Sequence, residues 1–172
     1  MAYIMTIDPG INHLAGVLCH FNEETNVLLP VDYVSVVLKE DDKFREARKD
    51  SALNMIGKVM SDERLLILAE RADRVHIETP HEKFCAHLNQ VSAACAALIG
   101  PQKCEFLSTC WTNFVKKDER IVQIQAYHPE TLELISKEKK SKVRWKDLAD
   151  CIGMALYISG IYKFTRPKRG DH

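Results

Sequence analysis

The sequence predicts an α/β protein, a mixed five-stranded sheet with helices on both faces. Strand-like runs joined by short connections open the chain and favour antiparallel pairing. Later strand-like runs are separated by helical patterns, and such crossovers join parallel strands. The 172 residues, 46% hydrophobic and 28% charged, are typical of one globular domain. We therefore expect a single domain over residues 1–172, with a basic connection at 137–146 and a basic tail at 163–172.

The first three strands are predicted to form an antiparallel meander. Residues 3–7 form a β-rich run that stops at Asp8-Pro9-Gly10, a turn sequence. Residues 14–21 read as the second strand. Residues 31–38, rich in β-branched side chains and preceded by Pro30, read as the third.

The rest of the chain is predicted to alternate helices with single strands. Apolar residues recur at three- and four-residue steps in the helical segments, and Gly-Pro, Thr-Pro and His-Pro pairs separate the elements. The predicted helices are 42–72, 82–99, 104–115, 130–136 and 145–162, and the predicted strands are 75–78 and 121–127.

The six cysteines are interpreted as buried, reduced side chains. None is spaced C-x-x-C, and the N-terminus has a strand-like run and Asp8 where a signal peptide would have a basic region and a long apolar core. The longest apolar run, 93–99, is far shorter than the roughly 20 residues of a membrane span. We expect a soluble protein of the cytoplasm or another reducing compartment.

The net charge of zero conceals a basic C-terminal part. Residues 136–169 contain ten Lys and Arg but only three Asp and Glu. A cationic end of this kind can orient a polyanion such as DNA. Composition alone also fits a solvated basic tail.

Four carboxylates stand where a metal site would place them. Asp8 and Glu78 each close a predicted strand, and Asp147 and Asp150 share one face near the start of the last helix. Singly, a turn or a helix N-terminus explains most of them. Four anions within about 5 Å would repel by roughly 3 kcal/mol per pair, so a cluster needs cations. Hard oxygen ligands favour Mg²⁺ or Mn²⁺.

These residues lie in segments that resemble a known family. YIMTIDPGINHLAGVL around Asp8 resembles the opening strand and hairpin of RuvC-type Holliday junction resolvases, members of the RNase H-like superfamily. VHIETP around Glu78 looks like their second catalytic strand, and KDLADCIGMAL is similar to their final D-x-x-D helix. AYHPE at 126–130 resembles the stretch before their basic segment. The short basic connection directly before D-x-x-D is closest to the virus-encoded, poxvirus-like branch.

The resemblance implies an RNase H-like fold and a Mg²⁺-dependent endonuclease. Two Mg²⁺ ions, which Mn²⁺ can replace, would hydrolyse phosphodiesters symmetrically at a four-way DNA junction, in recombination, repair or viral genome processing. No nucleotide cofactor is implied. The implied catalytic residues and metal ligands are Asp8, Glu78, Asp147 and Asp150. The implied DNA-binding residues are Lys139, Lys140, Lys142, Arg144 and Lys146, with His81 and Phe84 near the position of the aromatic that bacterial relatives insert into the junction.

The resemblance also implies a homodimer, which suits a two-fold symmetric junction. The small residues of the predicted helix 82–99 allow a second helix to approach closely, either across a dimer seam or within one chain. Two other functions remain open from the sequence. One is an RNase H-like nuclease acting on flaps, forks or RNA–DNA hybrids. The other is a junction-binding module without catalysis.

Overall fold

A computed structural model describes residues 1–10, 13–38, 51–79, 82–137 and 145–165. Five strands form one sheet: β1 Ala2–Pro9, β2 His13–Asn22, β3 Val27–Val37, β4 Arg74–Thr79 and β5 Cys104–Ser108. Their order is β3-β2-β1-β4-β5. The first three pair antiparallel, while β4 pairs parallel with both β1 and β5. The predicted mixed five-stranded sheet is confirmed.

Helices cover both faces of this sheet. They are α1 Ser51–Met60, α2 Glu63–Arg71, α3 Glu82–Ile99, α4 Lys117–Gln125, α5 Pro129–Lys137 and α6 Trp145–Ile158. Side chains of α1, α2 and α3 pack with Met5 and Ile7 of β1 in one core. Side chains of α4, α5 and α6 pack with Ala15 and Val17 of β2 in the other. No helix in these described ranges is both long and apolar enough to cross a membrane.

Strand alternation decides which core each polar residue faces. Ile7 of β1 and Ile77 of β4 pair in register and both enter the core of α1, α2 and α3. Successive side chains of a strand point to opposite faces. Asp8 and Glu78, each one residue further on, therefore lie side by side at the same sheet end, on the α6 face.

The predicted helix 42–72 is two helices in its described part. Asp62 interrupts it, because its backbone is extended and its side chain accepts a hydrogen bond from the Leu65 N–H at 2.9 Å. This is an N-cap, which begins α2. Residues 42–50 of the predicted helix lie outside the described part of the chain.

Two predicted elements are wrong. Residues 104–115 were expected to be helical, but Cys104–Ser108 is β5, paired with β4, and Thr109–Thr112 is a short 3-10 turn. Residues 121–127 were expected to be the fifth strand but belong mainly to α4. Ile121 and Ile124, three residues apart, are buried, while Val122 is 68% exposed. That is a helical burial pattern, although β-branched residues suggest a strand.

Smaller differences affect element ends and cysteines. The third strand begins four residues before its predicted start, and Pro30 is tolerated inside it because β3 is an edge strand. The last helix ends at Ile158 rather than at 162.

Cys110 is exposed, so it does not fit the prediction of buried cysteines, whereas Cys19, Cys95 and Cys151 are buried.

Candidate active site

Asp8 and Glu78 are hydrogen-bonding neighbours at the sheet end. The pKa of Asp8 is raised well above its usual value, first by burial, then by the negative charges of Glu78 and Asp150 and by the hydrogen bond to Glu78. Lys117 acts in the opposite direction. Glu78 and Asp150 are therefore both near enough to Asp8 to favour its protonated form.

Helix α6 supplies Asp150 because it packs directly on the central strands. The Thr6 hydroxyl of β1 donates a hydrogen bond to the Cys151 carbonyl at 2.8 Å, and the Cys151 thiol faces the Ala15 carbonyl of β2 at 3.5 Å. These contacts fix the middle of α6 against β1 and β2. Asp150, one residue before Cys151, is consequently buried beside Asp8.

Lys117 connects the two aspartates of α6. Its Nζ lies 2.6 Å from Asp147 Oδ1 and 2.8 Å from Asp150 Oδ2. Burial alone would lower the pKa of Lys117, but the Asp150 and Asp147 carboxylates outweigh burial and raise that pKa. Lys117 is therefore charged at neutral pH and compensates part of the acidic charge. Asp147 joins the cluster through this lysine.

A second cation holds Asp150 from the other side. The Arg120 guanidinium donates to Asp150 Oδ1 from Nη2 at 2.9 Å and from Nε at 3.3 Å. The same guanidinium lies 5.0 Å from the centre of the Trp111 ring. Trp111 in turn donates its indole N–H to Glu78 Oε1 at 2.7 Å. The site is thus a network in which two cations and one indole N–H bind the carboxylates.

The donor set matches a hard divalent cation in its chemistry. Carboxylate oxygens are the ligands that Mg²⁺ takes from proteins. The pKa of Asp8 is raised first by burial and then by the charges of Glu78 and Asp150, and a bound cation would offset those charges. Among the described residues, no three His, Cys, Asp or Glu side chains are already arranged as a metal site. Lys117 and Arg120 engage the Asp150 oxygens instead. A metal at Asp150 would have to take the place of Lys117, which is the more exposed of the two cations.

No family model and no curated protein matches the sequence. Solved structures do match the fold. RuvC of T. thermophilus, solved with a Holliday junction substrate, gives a TM-score of 0.61 at 15% identity over 94% of this chain and 98% of RuvC. The yeast mitochondrial Holliday junction resolvase Ydc2 gives 0.60 at 16% identity over 93% and 78%. The fowlpox virus resolvase, solved with Holliday junction DNA, gives 0.52 at 12% identity over 93% and 99%.

The chain has the RuvC-type resolvase fold. The expected resemblance is confirmed at the level of the fold, and the matching structures include the viral branch. The acid cluster of this chain therefore lies on a fold that solved resolvases share. At these identities the likeness concerns the fold, and the chemistry depends on the residues of this chain.

Several sequence-predicted DNA-binding residues fall outside the described part of the chain. Lys139, Lys140, Lys142, Arg144 and His81 lie in segments that the structure does not describe, and Phe84 belongs to α3 without a described side chain. Lys146 is described: its Nζ lies 2.7 Å from Asp118 Oδ1 on the surface. Of the DNA-binding set, the structure therefore places the Lys146 side chain, at the first turn of α6.

Lys117, Arg120 and the polar contact of Trp111 were not predicted from the sequence. Lys117 and Arg120 lie three residues apart on α4, so a helical interpretation would have put both on one face. The strand expected for 121–127 concealed that spacing. Trp111 is buried, and its indole N–H contacts Glu78.

Proposed function

We propose that this protein is a structure-specific endonuclease that cuts four-way DNA junctions in a divalent-metal-dependent reaction. The observation that carries the proposal is the convergence of three acids at one sheet end: Asp8 is hydrogen-bonded to Glu78 and lies within electrostatic reach of the buried Asp150. Acids that merely solvate a surface or cap a helix would be exposed, whereas Asp150 is buried. The resolvase scaffold supports the choice of branched DNA as substrate, because the RuvC and fowlpox virus structures contain Holliday junctions.

Asp8, Glu78, Asp147 and Asp150 would hold the metal, with Mg²⁺ or Mn²⁺ as the ion. When bound, such ions supply a nucleophilic hydroxide near neutral pH and neutralise charge on the leaving oxygen. The chain itself contributes rigid placement. Asp8 and Glu78 lie on paired central strands, and Asp150 lies on a helix tied to β1 through Thr6.

Lys117 would contribute positive charge next to the scissile phosphate. Its Nζ contacts Asp147 and Asp150, and its side chain is 37% exposed, so it can reorient when other cations compensate the acids. A lysine is a compact point charge on a flexible stem, which suits phosphate contact. Released from Asp150, it would stabilise negative charge developing on the phosphate.

The DNA surface would extend from the site along the start of α6. The pair between Lys146 and Asp118 is exposed, and such pairs stabilise proteins little, so a phosphate can replace Asp118 there. The basic connection at 137–146 leads into this helix and includes its first two residues. A homodimer would present two such sites to the two-fold symmetric junction. Ala93 and Ala97, exposed on α3, offer a close-packing surface for the partner helix.

The test is cleavage of a synthetic immobile four-way junction with Mg²⁺, resolved on a denaturing gel. We expect paired symmetric nicks and little cutting of a flap, a fork or an RNA–DNA hybrid. Asp150→Asn should lower the rate more than about 100-fold, because it removes a proposed ligand from the cluster. The control is Asp32→Asn, which removes a carboxylate paired with Arg64 and Arg71 outside the site.

Preferential cutting of one of the other substrates would reassign the nuclease to that substrate. Intact junctions, flaps, forks and hybrids with both Mg²⁺ and Mn²⁺ would contradict catalysis and favour a binding module.

A further inference from the structure

Two side chains next to the acid cluster connect two of its carboxylates. Trp111 donates to Glu78 Oε1 at 2.7 Å, and Arg120 donates to Asp150 Oδ1 at 2.9 Å. Their aromatic and guanidinium groups lie 5.0 Å apart. A single stacked pair thus links the strand that bears Glu78 to the helix that bears Asp150.

Trp111 is held rigidly by contacts other than its hydrogen bond to Glu78. It is almost fully buried, and its ring meets the Phe164 ring edge-on with centroids 5.5 Å apart. Asn113, in the left-handed region at φ 48°, donates its side-chain N–H to the Phe164 carbonyl at 2.9 Å. Gly153 of α6 leaves the space, since a Cβ there would lie 3.2 Å from the Trp111 ring. The indole N–H therefore has one direction in which to point.

Arg120 is held in a way that a lysine could not reproduce. Besides its two bonds to Asp150, it donates from Nη1 to the Val115 carbonyl at 2.7 Å. Its side chain is 11% exposed, against 37% for Lys117. A planar guanidinium can bond in several fixed directions and stack on a ring at once, whereas an ammonium cannot.

We propose that Trp111 and Arg120 are a positioning pair that orients the Glu78 and Asp150 carboxylates for a divalent cation. The inference rests on the proposed function. Each partner engages one oxygen of its carboxylate, and Lys117 engages the second oxygen of Asp150. Groups that bind behind metal ligands fix the ligand rotamer, and their loss typically weakens metal affinity or activity 10–100-fold.

The experiment compares Trp111→Phe and Arg120→Lys with the unchanged protein. Phe keeps an aromatic ring but loses the N–H, and Lys keeps the charge but loses the fork and the stack. The first readout is Mn²⁺ affinity by calorimetry without DNA, which we expect to fall about 10–100-fold in both variants. The second is steady-state cleavage, where kcat should fall and KM for the junction should stay within about twofold, because neither residue is proposed to touch DNA.

Arg64→Lys is the matched control. Arg64 also pairs with a carboxylate, Asp32, at 3.0 Å and lies over an aromatic ring, Tyr33, at 6.0 Å, but outside the site. We expect Mn²⁺ affinity and kcat to be unchanged in this variant. Thermal unfolding of all variants shows whether each is folded, and Arg120→Lys, which changes no core ring, decides the matter if Trp111→Phe does not fold.

A spectroscopic readout isolates Trp111. The chain has two tryptophans, so Trp145→Phe leaves Trp111 as the only one. In that background, Mg²⁺ should shift the Trp111 emission, and the shift should disappear when Asp150→Asn is added. No shift on saturation with Mg²⁺ would overturn the contact between Trp111 and a metal ligand.

The outcomes separate the pair from the nuclease itself. Wild-type Mn²⁺ affinity and kcat in a folded Arg120→Lys protein would overturn the positioning role while leaving the nuclease intact. If the wild-type protein binds Mn²⁺ but cuts no branched DNA, the proposed nuclease activity is contradicted. A loss of Mn²⁺ affinity in the variants would then still support the positioning role of Trp111 and Arg120. An unchanged protein that binds no Mn²⁺ would overturn both.

Discussion

At the residue scale, the site is a place where folding and function oppose each other. Asp8 lies beside two further carboxylates, and its pKa is raised by burial and by their charges. Such an arrangement destabilises the metal-free fold, and it persists because Lys117 and Arg120 compensate Asp150. Active sites commonly retain residues that cost stability.

Replacing Asp8 by Asn should therefore stabilise the metal-free protein while abolishing cleavage. The pKa of Asp8 is higher in the folded than in the unfolded state. Its contribution to stability is therefore fully present below the unfolded-state pKa and is lost as the pH rises through the folded-state pKa. At pH 7 we expect Asp8→Asn to raise the free energy of unfolding by on the order of 1 kcal/mol, since each pKa unit corresponds to about 1.4 kcal/mol. Urea unfolding in EDTA at several pH values measures this.

The difference between Asp8→Asn and the unchanged protein should shrink toward pH 4. Asp32→Asn is the matched control, because it removes a carboxylate that two arginines stabilise, so it should lower stability. A destabilising effect of Asp8→Asn at pH 7 in EDTA would show that the acids are not in repulsion.

At the scale of elements, the sequence predicted what alternation and chain breaks specify. The opening hairpins, β4 and α3 were predicted within a few residues, and with them the positions of Asp8 and Glu78. The elements predicted for 104–127 were wrong. Cys104, Leu107 and Trp111 have a helical spacing, but pairing with β4 makes Cys104–Ser108 a strand. The β-branched side chains of Ile121, Val122 and Ile124 are typical of a strand. In α4, however, Ile121 and Ile124 are buried and Val122 is exposed.

That error concealed the two cations of the site. Lys117 and Arg120 are positioned by their ion pairs with Asp147 and Asp150. Both aspartates are about 30 positions away in the sequence. Local patterns carry no information on such contacts. The four acids could be predicted from the sequence because each lies at a strand end or near the start of a helix. The two cations could be identified only once α4 was placed beside α6.

The break between α1 and α2 provides a test at this scale. Asp62 caps α2 through its bond to the Leu65 N–H at 2.9 Å. Asp62→Ala should lower the free energy of unfolding by about 1 kcal/mol, because it leaves helix N–H groups without a partner. Urea unfolding measures the change, with Asp62→Asn, which retains a capping oxygen, as the control. Equal stability of Asp62→Ala and Asp62→Asn would contradict the capping role.

At the scale of the whole molecule, charge is divided between a neutral-to-acidic body and a basic C-terminal part. The acid cluster and the start of α6 meet where the basic connection joins the helix. DNA bound there would have its backbone neutralised by lysines next to the carboxylates.

The salt dependence of junction binding tests the basic connection. Changing Lys139, Lys140 and Lys142 together to Gln should weaken binding and reduce the slope of log K against log salt by about 0.9 for each phosphate that is no longer neutralised. Lys58→Gln, on α1 and therefore on the opposite sheet face, is the control and should leave the slope unchanged. Fluorescence anisotropy with a labelled junction and no divalent metal measures both. An unaltered slope in the triple variant would exclude these lysines from the DNA interface.

The most direct test of the central claim is a crystal structure of the protein with Mn²⁺, using anomalous scattering to locate the metal. Convergence of the acids into a divalent-cation site predicts Mn²⁺ about 2.1 Å from oxygens of Asp8 and of Glu78 or Asp150, with Lys117 moved off Asp150 Oδ2. Anomalous density absent from this cluster at saturating Mn²⁺, with Lys117 still bound to both aspartates, would contradict it.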